Sequence, residues 1–382
     1  MSIESFEKHG KWPDVKIKSV EAIPFRIPYK ENQTMRSKVF KSNAVEHVLI
    51  RVHTDDGLEG VAEAPSRPGI YGETQDAIRS ITSQVLAPLV TGMNPLDIRM
   101  IRNKMDATVP FNLTAKAAVE LAIYDVIGKT LHLPCGRLLG GYKPRIPLTW
   151  LMPLKKPTDA ATDAAEVKQE LGITSFKLKV GEEPARDIET VKLVRKAVGE
   201  DAVISVDGNQ GYDAQTAINT LNKMKDYDIS WVEEPCPISD SGGRLKLAHS
   251  VPIPIMGDES CFTVQNVYEQ IKLGALGIVS IKIARTSFQP SRTILELCQC
   301  AHVRNLLGTQ ADSSIGLFYS LHFASAHSEI TLPNEIHPAT LHATDHLTTE
   351  PLIVKDGCME VPTKPGLGIQ IDELKVRKYS VG

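Results

Sequence analysis

From about Ile146 onwards, the chain alternates short apolar runs with stretches that have helical spacing. SFKLKV (175–180) and ISWVEEP (229–235) are typical apolar runs, and ARDIETVKLVRKAVG lies between two of the runs. Short apolar runs predict buried strands, and parallel strands need a helical connection of this length. Eight such runs occur, starting near residues 146, 175, 202, 229, 252, 276, 304 and 328. The pattern predicts eight βα units closed into a (β/α)8 barrel.

The N-terminal part has a different pattern, with strand-like segments first and helices afterwards. Two apolar segments at 15–29 and 46–64 alternate as strands do, and the second contains the turn sequence DDG. In the helical segment that follows, apolar residues recur on one face, namely Val119, Ala122, Ile123, Val126 and Ile127. This order is typical of an α+β domain.

These changes of pattern divide the chain into three parts. We expect an N-terminal α+β domain at 1–145, a catalytic barrel at 146–350 and a C-terminal segment at 351–382. The last segment returns to turn-rich strand sequence after the barrel is complete. We therefore expect it to rejoin the N-terminal domain rather than extend the barrel.

Composition excludes several classes of partner. Lys and Arg number 43 against 46 acidic residues, and no basic block suggests nucleic acid. No stretch of about 18 apolar residues predicts a membrane span, and the first residues do not resemble a signal peptide. The six cysteines are scattered without CxxC spacing, which argues against a zinc site or disulfide framework. We expect a cytoplasmic protein that acts on a small molecule.

Ionisable side chains stand at the ends of successive apolar runs. They follow the second to the seventh run, one βα unit apart, and are Lys177, Lys179, Asp207, Glu233, Asp258, Lys282 and Asp312. The carboxyl ends of barrel strands meet at one mouth, where barrel enzymes build their active sites. A single Asp after a strand is usually a turn former or a helix cap. A ring of charges at one mouth is better explained by a site.

The central three of these residues predict a metal site. Asp207, Glu233 and Asp258 would repel one another unless a cation lies among them, and oxygen ligands favour Mg²⁺, with Mn²⁺ possible, over zinc. Lysines on the flanking strands would be close to that cation and partly desolvated, which lowers a lysine pKa. A neutral amine can then act as a base. The set predicts proton removal or addition α to a metal-bound carboxylate.

The motifs, in this order, resemble the enolase superfamily and, within it, the muconate lactonizing enzyme (muconate cycloisomerase) subgroup of the mandelate racemase/muconate lactonizing enzyme family. FKLKVG resembles the KxK motif, VDGN, VEEP and GDES resemble the three metal-ligand motifs, and SIKIA carries the opposing lysine. The resemblance covers nearly the whole chain. It implies an α/β fold, a modified TIM barrel with an N-terminal α+β capping domain that the C-terminal segment completes.

The resemblance also implies roles for individual residues. Lys179 and Lys282 would be the acid or base on either side of the substrate, and Lys177 would assist Lys179. Asp207, Glu233 and Asp258 would bind the metal, with Glu234 and Glu259 behind them. Asp312 stands where relatives carry Glu, and we expect it to act beside the metal-bound carboxylate. That departure bears on the reaction more than on the fold.

Two segments match the loops that close over the barrel mouth in the family. PYKENQTMRSKVFKSN and APSRPGIYGET supply Arg36, Lys38, Arg67 and Tyr71, which we expect to contact a distal polar group of the substrate or to remain solvated. Glu335, near the end of the eighth run, is a further specificity candidate. The resemblance implies a small-molecule carboxylate substrate and a homo-oligomer, either a dimer or an octamer.

Three reactions share the same first step through an enediolate. The favoured hypothesis is a muconate-type cycloisomerase. The alternatives are a racemase or epimerase of an N-substituted amino acid or a proline-like acid, and a dehydratase of a hydroxy acid. A DxD pair of the dipeptide-epimerase kind is not evident near SEITLPNEI. A non-catalytic metal-binding barrel is disfavoured because ligands and both lysines are intact.

Overall fold

The computed structural model describes residues 13–31, 34–36, 41–141, 143–336 and 342–382. The N-terminal strands are, in chain order, β1 (Ile17–Pro28), β2 (Met35–Arg36), β3 (Lys41–Ser42), β4 (Ala44–Thr54) and β5 (Glu59–Pro65). An antiparallel sheet has the order β1-β4-β5, and β2 pairs with β3. The predicted DDG turn joins β4 to β5, with Gly57 at a φ of +88° that favours glycine.

Helices cover one face of this sheet. They are α1 (Pro68–Tyr71), α2 (Gln75–Ile81), α3 (Ala87–Val90), α4 (Ile98–Thr108), α5 (Leu113–Thr130) and α6 (Cys135–Leu138). A π-helical turn, Thr82–Leu86, joins α2 to α3, and a 3₁₀ turn, Pro95–Asp97, precedes α4. α5 is buried on nearly all sides because it lies between β5 and the barrel. A Cβ on Gly60 would lie only 2.0 Å from the carbonyl oxygen of Ala122, so glycine allows this close contact.

The second part of the chain forms the predicted barrel sheet. After β6 (Arg145–Pro147), its parallel strands are β7 (Trp150–Met152), β8 (Ser175–Lys179), β9 (Val203–Asp207), β10 (Ile229–Glu233), β11 (Ile255–Gly257), β12 (Ile278–Ile281) and β13 (Arg304–Leu307). They pair in sequence from β7 to β13. The first seven predicted runs therefore each contribute a strand.

Helices connect these strands on the outside of the barrel. They are α7 (Pro157–Leu171), α8 (Pro184–Val198), α9 (Ala214–Met224), α10 (Ser241–Ser250), α11 (Val264–Leu273), α12 (Ile283–Thr286), α13 (Phe288–Cys300) and α14 (Ser314–Ala326). Local sequence sets several ends: Asp213 and Thr263 accept backbone N–H bonds at the starts of α9 and α11. Gly172 ends α7 in the left-handed conformation.

The prediction of a strand for the eighth run, SEITLPNE, was wrong. In the described residues it forms a single parallel bridge, between Asn334 and Leu148, instead of a ladder. The backbone N–H of Glu335 nevertheless donates to the Leu307 carbonyl at 2.7 Å, and Asn334 Oδ1 accepts from the Leu307 N–H at 3.0 Å. Pro333 interrupts the run and cannot donate to a ladder. The barrel therefore closes through isolated bonds on both sides of 333–335.

The C-terminal segment contacts both parts of the molecule. β14 (Cys358–Glu360) pairs antiparallel with β6, and α15 (Glu373–Tyr379) contacts β1. Buried Asp125 of α5 accepts from the backbone N–H groups of Val61 and Leu367, at 2.9 and 2.7 Å. A single carboxylate thus ties the sheet, the long helix and the C-terminal segment together. The fold class predicted from the sequence is confirmed, with the exception of the eighth strand.

Candidate active site

A cavity opens at the carboxyl ends of the barrel strands. Barrel residues Lys177, Lys179, Asp207, Asp258 and Lys282 line it. Arg36, Arg67 and Ile70 of the N-terminal part line its rim. Most of the charged residues expected at the strand ends therefore meet in one place.

Carboxylates from three neighbouring strands lie beneath this cavity. Asp207 and Glu233 are paired across β9 and β10, Asp258 follows β11, and all three are buried. Oxygens of Glu233, Asp258 and Glu259 lie within 4.8 Å of one another. Burial, and then the charge of Asp207, raise the pKa of Glu233 well above its usual range. The neighbouring cations therefore do not fully offset the cost of a negative charge on Glu233.

This donor set fits a hard divalent cation. Every candidate donor is an oxygen, as Mg²⁺ requires. Within the described residues, Glu233 Oε1 and Glu259 Oε2 are buried and accept no hydrogen bond. Buried acceptors without partners are costly and rare, so a ligand atom is the expected partner. The residues that would hold the ion are Asp207, Glu233 and Asp258, with Glu259 adjacent.

Lys177 lies deepest in the site. Its ammonium donates to Glu233 and, at 2.6 Å, to Oε2 of Glu335, and it lies 3.3 Å from Oδ2 of Asp207. The side chain is 5% exposed. Lys177 therefore belongs to the buried network of ion pairs at the base of the cavity.

Lys179 and Lys282 lie on opposite flanks of the carboxylates. Lys179, at the end of β8, donates to Asp207 Oδ2 at 2.6 Å and to Asn209 Oδ1 at 2.7 Å. Lys282, directly after β12, donates to Asp258 and lies 3.9 Å from Glu233 Oε1. The Lys179 side chain is 21% exposed, whereas that of Lys282 is 6% exposed. Two amines thus face one cavity from two sides.

The pKa values of the buried lysines are shifted upwards, whereas the sequence led us to expect lowered values. Burial lowers the pKa of Lys282, but the carboxylates of Asp258 and Glu233 more than offset it, so the pKa lies above its usual range. For Lys177, burial is likewise outweighed by Glu233 and Glu335. The expectation assumed carboxylates already neutralised by a cation. A divalent cation would offset the negative charge that holds these protons.

Glu234 organises the loop that carries Asp258. Its Oε1 accepts from the backbone N–H groups of Asp258 and Ser260, at 2.7 and 2.9 Å, and Arg244 donates to its Oε2. The residue is fully buried and has a φ of +33°. This geometry agrees with the expected supporting position, behind the candidate ligands.

Three functional positions were missed or misplaced by sequence reasoning. Glu259 lines the cavity beside the carboxylates, although it was expected behind them. β11 ends at Gly257, so strand alternation no longer applies at 258–260. Asn209, two residues after Asp207, accepts from Lys179, and its place in VDGN was the available signal. Arg285 donates to Asp258 Oδ1 at 2.6 Å, and no sequence motif indicated this contact.

The predicted capping-loop residues have different positions. Arg36 lines the cavity and donates to Glu182 of the barrel at 3.2 Å. Buried Arg67 also lines the cavity, and it donates to the Gln310 carbonyl at 2.6 Å. Tyr71 is outside the cavity lining and packs edge-on against Phe262, and burial raises its pKa to about 12. Lys38 lies outside the described residues.

Asp312 and Glu335 do not lie where the sequence argument put them, since neither lines the cavity. Asp312 faces back towards the N-terminal sheet and accepts from Thr309 Oγ1 at 2.9 Å. Burial, and then the charge of Glu63, raise its pKa to about 6. Its short side chain caps its own loop, so Thr309, Gln310 and Ala311 line the cavity in its place. Glu335 is turned inward by its bond to Lys177.

Comparison with known proteins shows the family. The model for the N-terminal domain of mandelate racemase and muconate lactonizing enzyme matches residues 26–140, and the enolase C-terminal domain-like model matches 159–375. The chain belongs to the mandelate racemase/muconate lactonizing enzyme family of the enolase superfamily. It is therefore an enolase-superfamily isomerase, and proton abstraction next to a carboxylate is the chemistry that such isomerases share.

Relatives in this family catalyse different reactions. A hydrophobic dipeptide epimerase of Enterococcus faecalis is 32% identical over 93% of this chain and 99% of its own length. The structure of muconate lactonizing enzyme from Mycobacterium smegmatis with muconolactone has a TM-score of 0.93 and 35% identity, covering 96% of this chain and 100% of that one. N-succinyl Arg/Lys racemase from Bacillus cereus has a TM-score of 0.90 and 27% identity, covering 96% and 98%.

A solved structure also bears on the metal. The Enterococcus faecalis epimerase, 30% identical in the structural comparison with a TM-score of 0.87, covers 93% of this chain and 99% of its own, and it was solved with Mg and a dipeptide. As for membranes, none of the helices in the described part of this family member is both long and apolar enough to span one.

Proposed function

We propose that this chain is a Mg²⁺-dependent cycloisomerase of the muconate type. The observation that carries the proposal is one cavity that combines a carboxylate cluster, a flanking lysine and two arginines, Arg36 and Arg67, at its rim. A substrate with two carboxylates would be bound at both ends by this arrangement. Similarity to the muconolactone-bound enzyme supports the same assignment.

In this reaction one carboxylate oxygen of muconate adds to the double bond conjugated with the other carboxylate. The ring C–O bond forms, and a proton must then be added α to the second carboxylate. When bound, Mg²⁺ would stabilise the charge on that carboxylate. Lys179 would donate the proton, because its ammonium is the more exposed of the two flanking amines. Lys177 would hold Asp207 and Glu233 in place beneath it.

The position of Glu335 argues against a dipeptide substrate. An ammonium group at the far end of a substrate needs a carboxylate that faces it. Glu335 instead lies outside the cavity lining, and its Oε2 accepts from Lys177. Among the described residues, two of the three that the N-terminal part contributes to the cavity lining, Arg36 and Arg67, carry positive charge. That charge favours an anionic distal group.

The experiment is lactonisation of cis,cis-muconate with Mg²⁺, followed by ultraviolet absorbance. We expect turnover that EDTA abolishes and that Lys179→Ala removes. The control is Lys192→Ala, which alters an exposed lysine of α8 paired with Glu189 and should leave turnover unchanged. No lactone from muconate under any of these conditions would exclude the muconate assignment while leaving the superfamily unaffected.

The second flanking lysine favours one alternative, racemisation of an N-succinyl amino acid. Lys282 has no required role in a single protonation, whereas a racemase needs an amine on each face of the α carbon. Such a substrate is also a dicarboxylate. Each enantiomer of an N-succinyl amino acid would then exchange its α proton in D₂O. Loss of exchange for one enantiomer in Lys179→Ala and for the other in Lys282→Ala, without lactonisation of muconate, would favour the racemase.

A further inference from the structure

Ser287 has a backbone conformation that glycine normally adopts. Its φ is 55° and its ψ is −162°, a combination that is strained for any residue with a Cβ. It forms the junction between the short helix α12 and the longer α13. Strain of this kind persists only where the surroundings fix the chain, and it is concentrated at functional sites.

The surroundings that fix Ser287 come from the capping domain. Arg102 of α4 donates through Nη1 to Ser287 Oγ at 3.1 Å and to Glu120 Oε2 at 2.9 Å. The other oxygen of Glu120, on α5, accepts from the backbone N–H of Gln289 at 3.0 Å. Arg102, Glu120 and Ser287 are all buried. A paired Arg and Glu therefore clamp both sides of the strained turn.

The clamped turn is directly connected to Lys282. Lys282 is the residue that precedes α12, and its carbonyl accepts from Thr286 Oγ1 at 2.9 Å. The Ser287 backbone N–H donates to the Ile283 carbonyl at 2.8 Å. Thr286 Oγ1 also lies 2.6 Å from Ser291 Oγ of α13. Because α12 has only four residues, a shift of Ser287 would also move Lys282.

We propose that Arg102 and Glu120 are positioning residues for Lys282. By holding Ser287 in its strained turn, they fix the start of α12 and keep the Lys282 ammonium against Asp258. The placement of one flank of the active site then depends on docking of the capping domain. The catalytic importance of this placement rests on the proposed function, but the placement itself does not.

The opposite flank has an anchor of its own within the barrel. Asp187 of α8 accepts from the backbone N–H of Gly181 at 2.8 Å and from the Tyr212 hydroxyl at 2.5 Å. Gly181 is two residues beyond Lys179. The two lysines should therefore respond to different substitutions, and this difference provides the test.

The test is the rate at which each lysine is methylated by formaldehyde and cyanoborohydride, measured by peptide mass spectrometry on the folded chain. This readout needs no substrate. Glu120→Gln removes the buried one of the two carboxylates paired with Arg102, the other being the more exposed Asp106, and we expect methylation of Lys282 to accelerate about tenfold while that of Lys179 is unchanged. The matched control is Glu63→Gln: Glu63 is another buried capping-domain carboxylate, bonded to the first turn of α14 through Ser313 and Gly316. It should leave the Lys282 rate unchanged.

A second variant tests the strain itself. Ser287→Gly adopts the same turn without strain but loses the acceptor for Arg102. Its reference is therefore Ser287→Ala, which loses the same bond and keeps the strain, and we expect the higher midpoint of thermal unfolding for Ser287→Gly. In that background, Glu120→Gln should accelerate Lys282 methylation by only about twofold, because the turn no longer depends on the clamp. If Glu120→Gln does not fold alone, the Ser287→Gly background should restore folding.

Three results would overturn the proposal. Equal Lys282 methylation in folded Glu120→Gln and wild-type chains would show that the clamp does not place the lysine. Equal acceleration by Glu63→Gln would show a general loosening of the domain contact. An unfolding midpoint for Ser287→Gly that is no higher than that of Ser287→Ala would show that the turn is not strained. None of these depends on whether muconate is a substrate, so failure of the proposed function is recognised separately, as absence of lactonisation.

Discussion

The two flanks of the cavity carry the same amine but hold it differently. Lys179 ends a regular strand, is 21% exposed and binds Asp207 and Asn209 of the next βα unit. Lys282 follows its strand, is 6% exposed and lies against Asp258 and Glu233, which come from other strands. The Lys179 flank is the more open to substrate. The Lys282 flank is desolvated, and the turn at Ser287 connects it to Arg102 and Glu120 of the capping domain.

This difference indicates that Lys179 and Lys282 have different roles. An amine that exchanges protons with water between turnovers needs access to solvent, and Lys179 has it. An ammonium beside carboxylates is better suited to holding charge, and Asp258 and Glu233 keep Lys282 protonated although burial lowers its pKa. A one-base reaction would use the flanks unequally, whereas a racemase would use them equally.

The largest expected effect is on Lys179. Lys179→Ala should reduce lactonisation of muconate by about 10³-fold, the contribution of a positioned acid or base, whereas Lys282→Ala should reduce it by only about tenfold. The measurement is kcat with saturating Mg²⁺ for both variants. Losses of equal size would remove the distinction between the flanks and favour the two-base alternative.

A smaller effect is expected from substitution of Glu234, which supports Asp258 on the Lys282 flank. Glu234→Gln weakens the bonds that hold the Asp258 and Ser260 backbones, and supporting residues of this kind typically change metal affinity by about 10- to 100-fold. Titration of activity with Mg²⁺ measures the apparent affinity. Glu189→Gln, at an exposed position on α8, is the control. An unchanged Mg²⁺ requirement in Glu234→Gln would contradict this role.

The anchor on the Lys179 flank should have a weaker effect. Asp187→Asn keeps an oxygen that can accept from both Gly181 and Tyr212 but removes the charge that strengthens these bonds, so we expect kcat to fall about fivefold with the Mg²⁺ requirement unchanged. The comparison of Mg²⁺ titrations for Asp187→Asn and Glu234→Gln separates the two flanks. A shifted metal requirement in Asp187→Asn would show that the flanks are not independent.

The smallest effect on turnover should come from Asp312, which lies behind the cavity wall. Asp312→Asn should leave kcat within about twofold, because the residue does not line the cavity. Its effect should appear in stability. Burial raises the pKa of Asp312 to about 6, so the folded chain keeps a proton that the unfolded chain releases near pH 4.

The sign of that pH dependence follows from the raised pKa. Asp312 destabilises the folded chain progressively as the pH rises from about 4 to 6, and the loss is complete above that range. Asp312→Asn should therefore be the more stable chain at pH 7.5, by at most about 3 kcal/mol, with the advantage gone at pH 4. Urea unfolding at the two pH values measures it. An advantage of the same size at both would mean that Asp312 does not titrate in this range.

Sequence reasoning succeeded where the barrel repeat determines position. Residues such as Lys179, Asp207 and Glu233 end regular strands, so strand alternation and the spacing of βα units placed them at one mouth. It failed for some residues that lie beyond the ends of regular strands. Glu259 lies beyond β11, Asp312 is in a loop with Ala311 at a φ of 56°, and Glu335 lies in a segment interrupted by proline. In such segments, side-chain direction depends on tertiary partners.

The contacts between distant segments were beyond sequence reasoning for a second reason. The pairing of Arg102 with Glu120 and Ser287 joins three elements that no local pattern relates. A serine at position 287 gives no indication of a left-handed φ. The domain boundaries and the expected dimer or octamer stay predictions.

Deuterium incorporation tests the central claim most directly. Muconolactone has two hydrogens α to its free carboxylate, one facing each flank of the cavity when bound. With enzyme and Mg²⁺ in D₂O, we predict that NMR shows exchange at one of the two positions, that Lys179→Ala abolishes it and that Lys282→Ala slows it without abolishing it. Exchange that persists unchanged in Lys179→Ala would contradict the assignment of Lys179 as the proton donor.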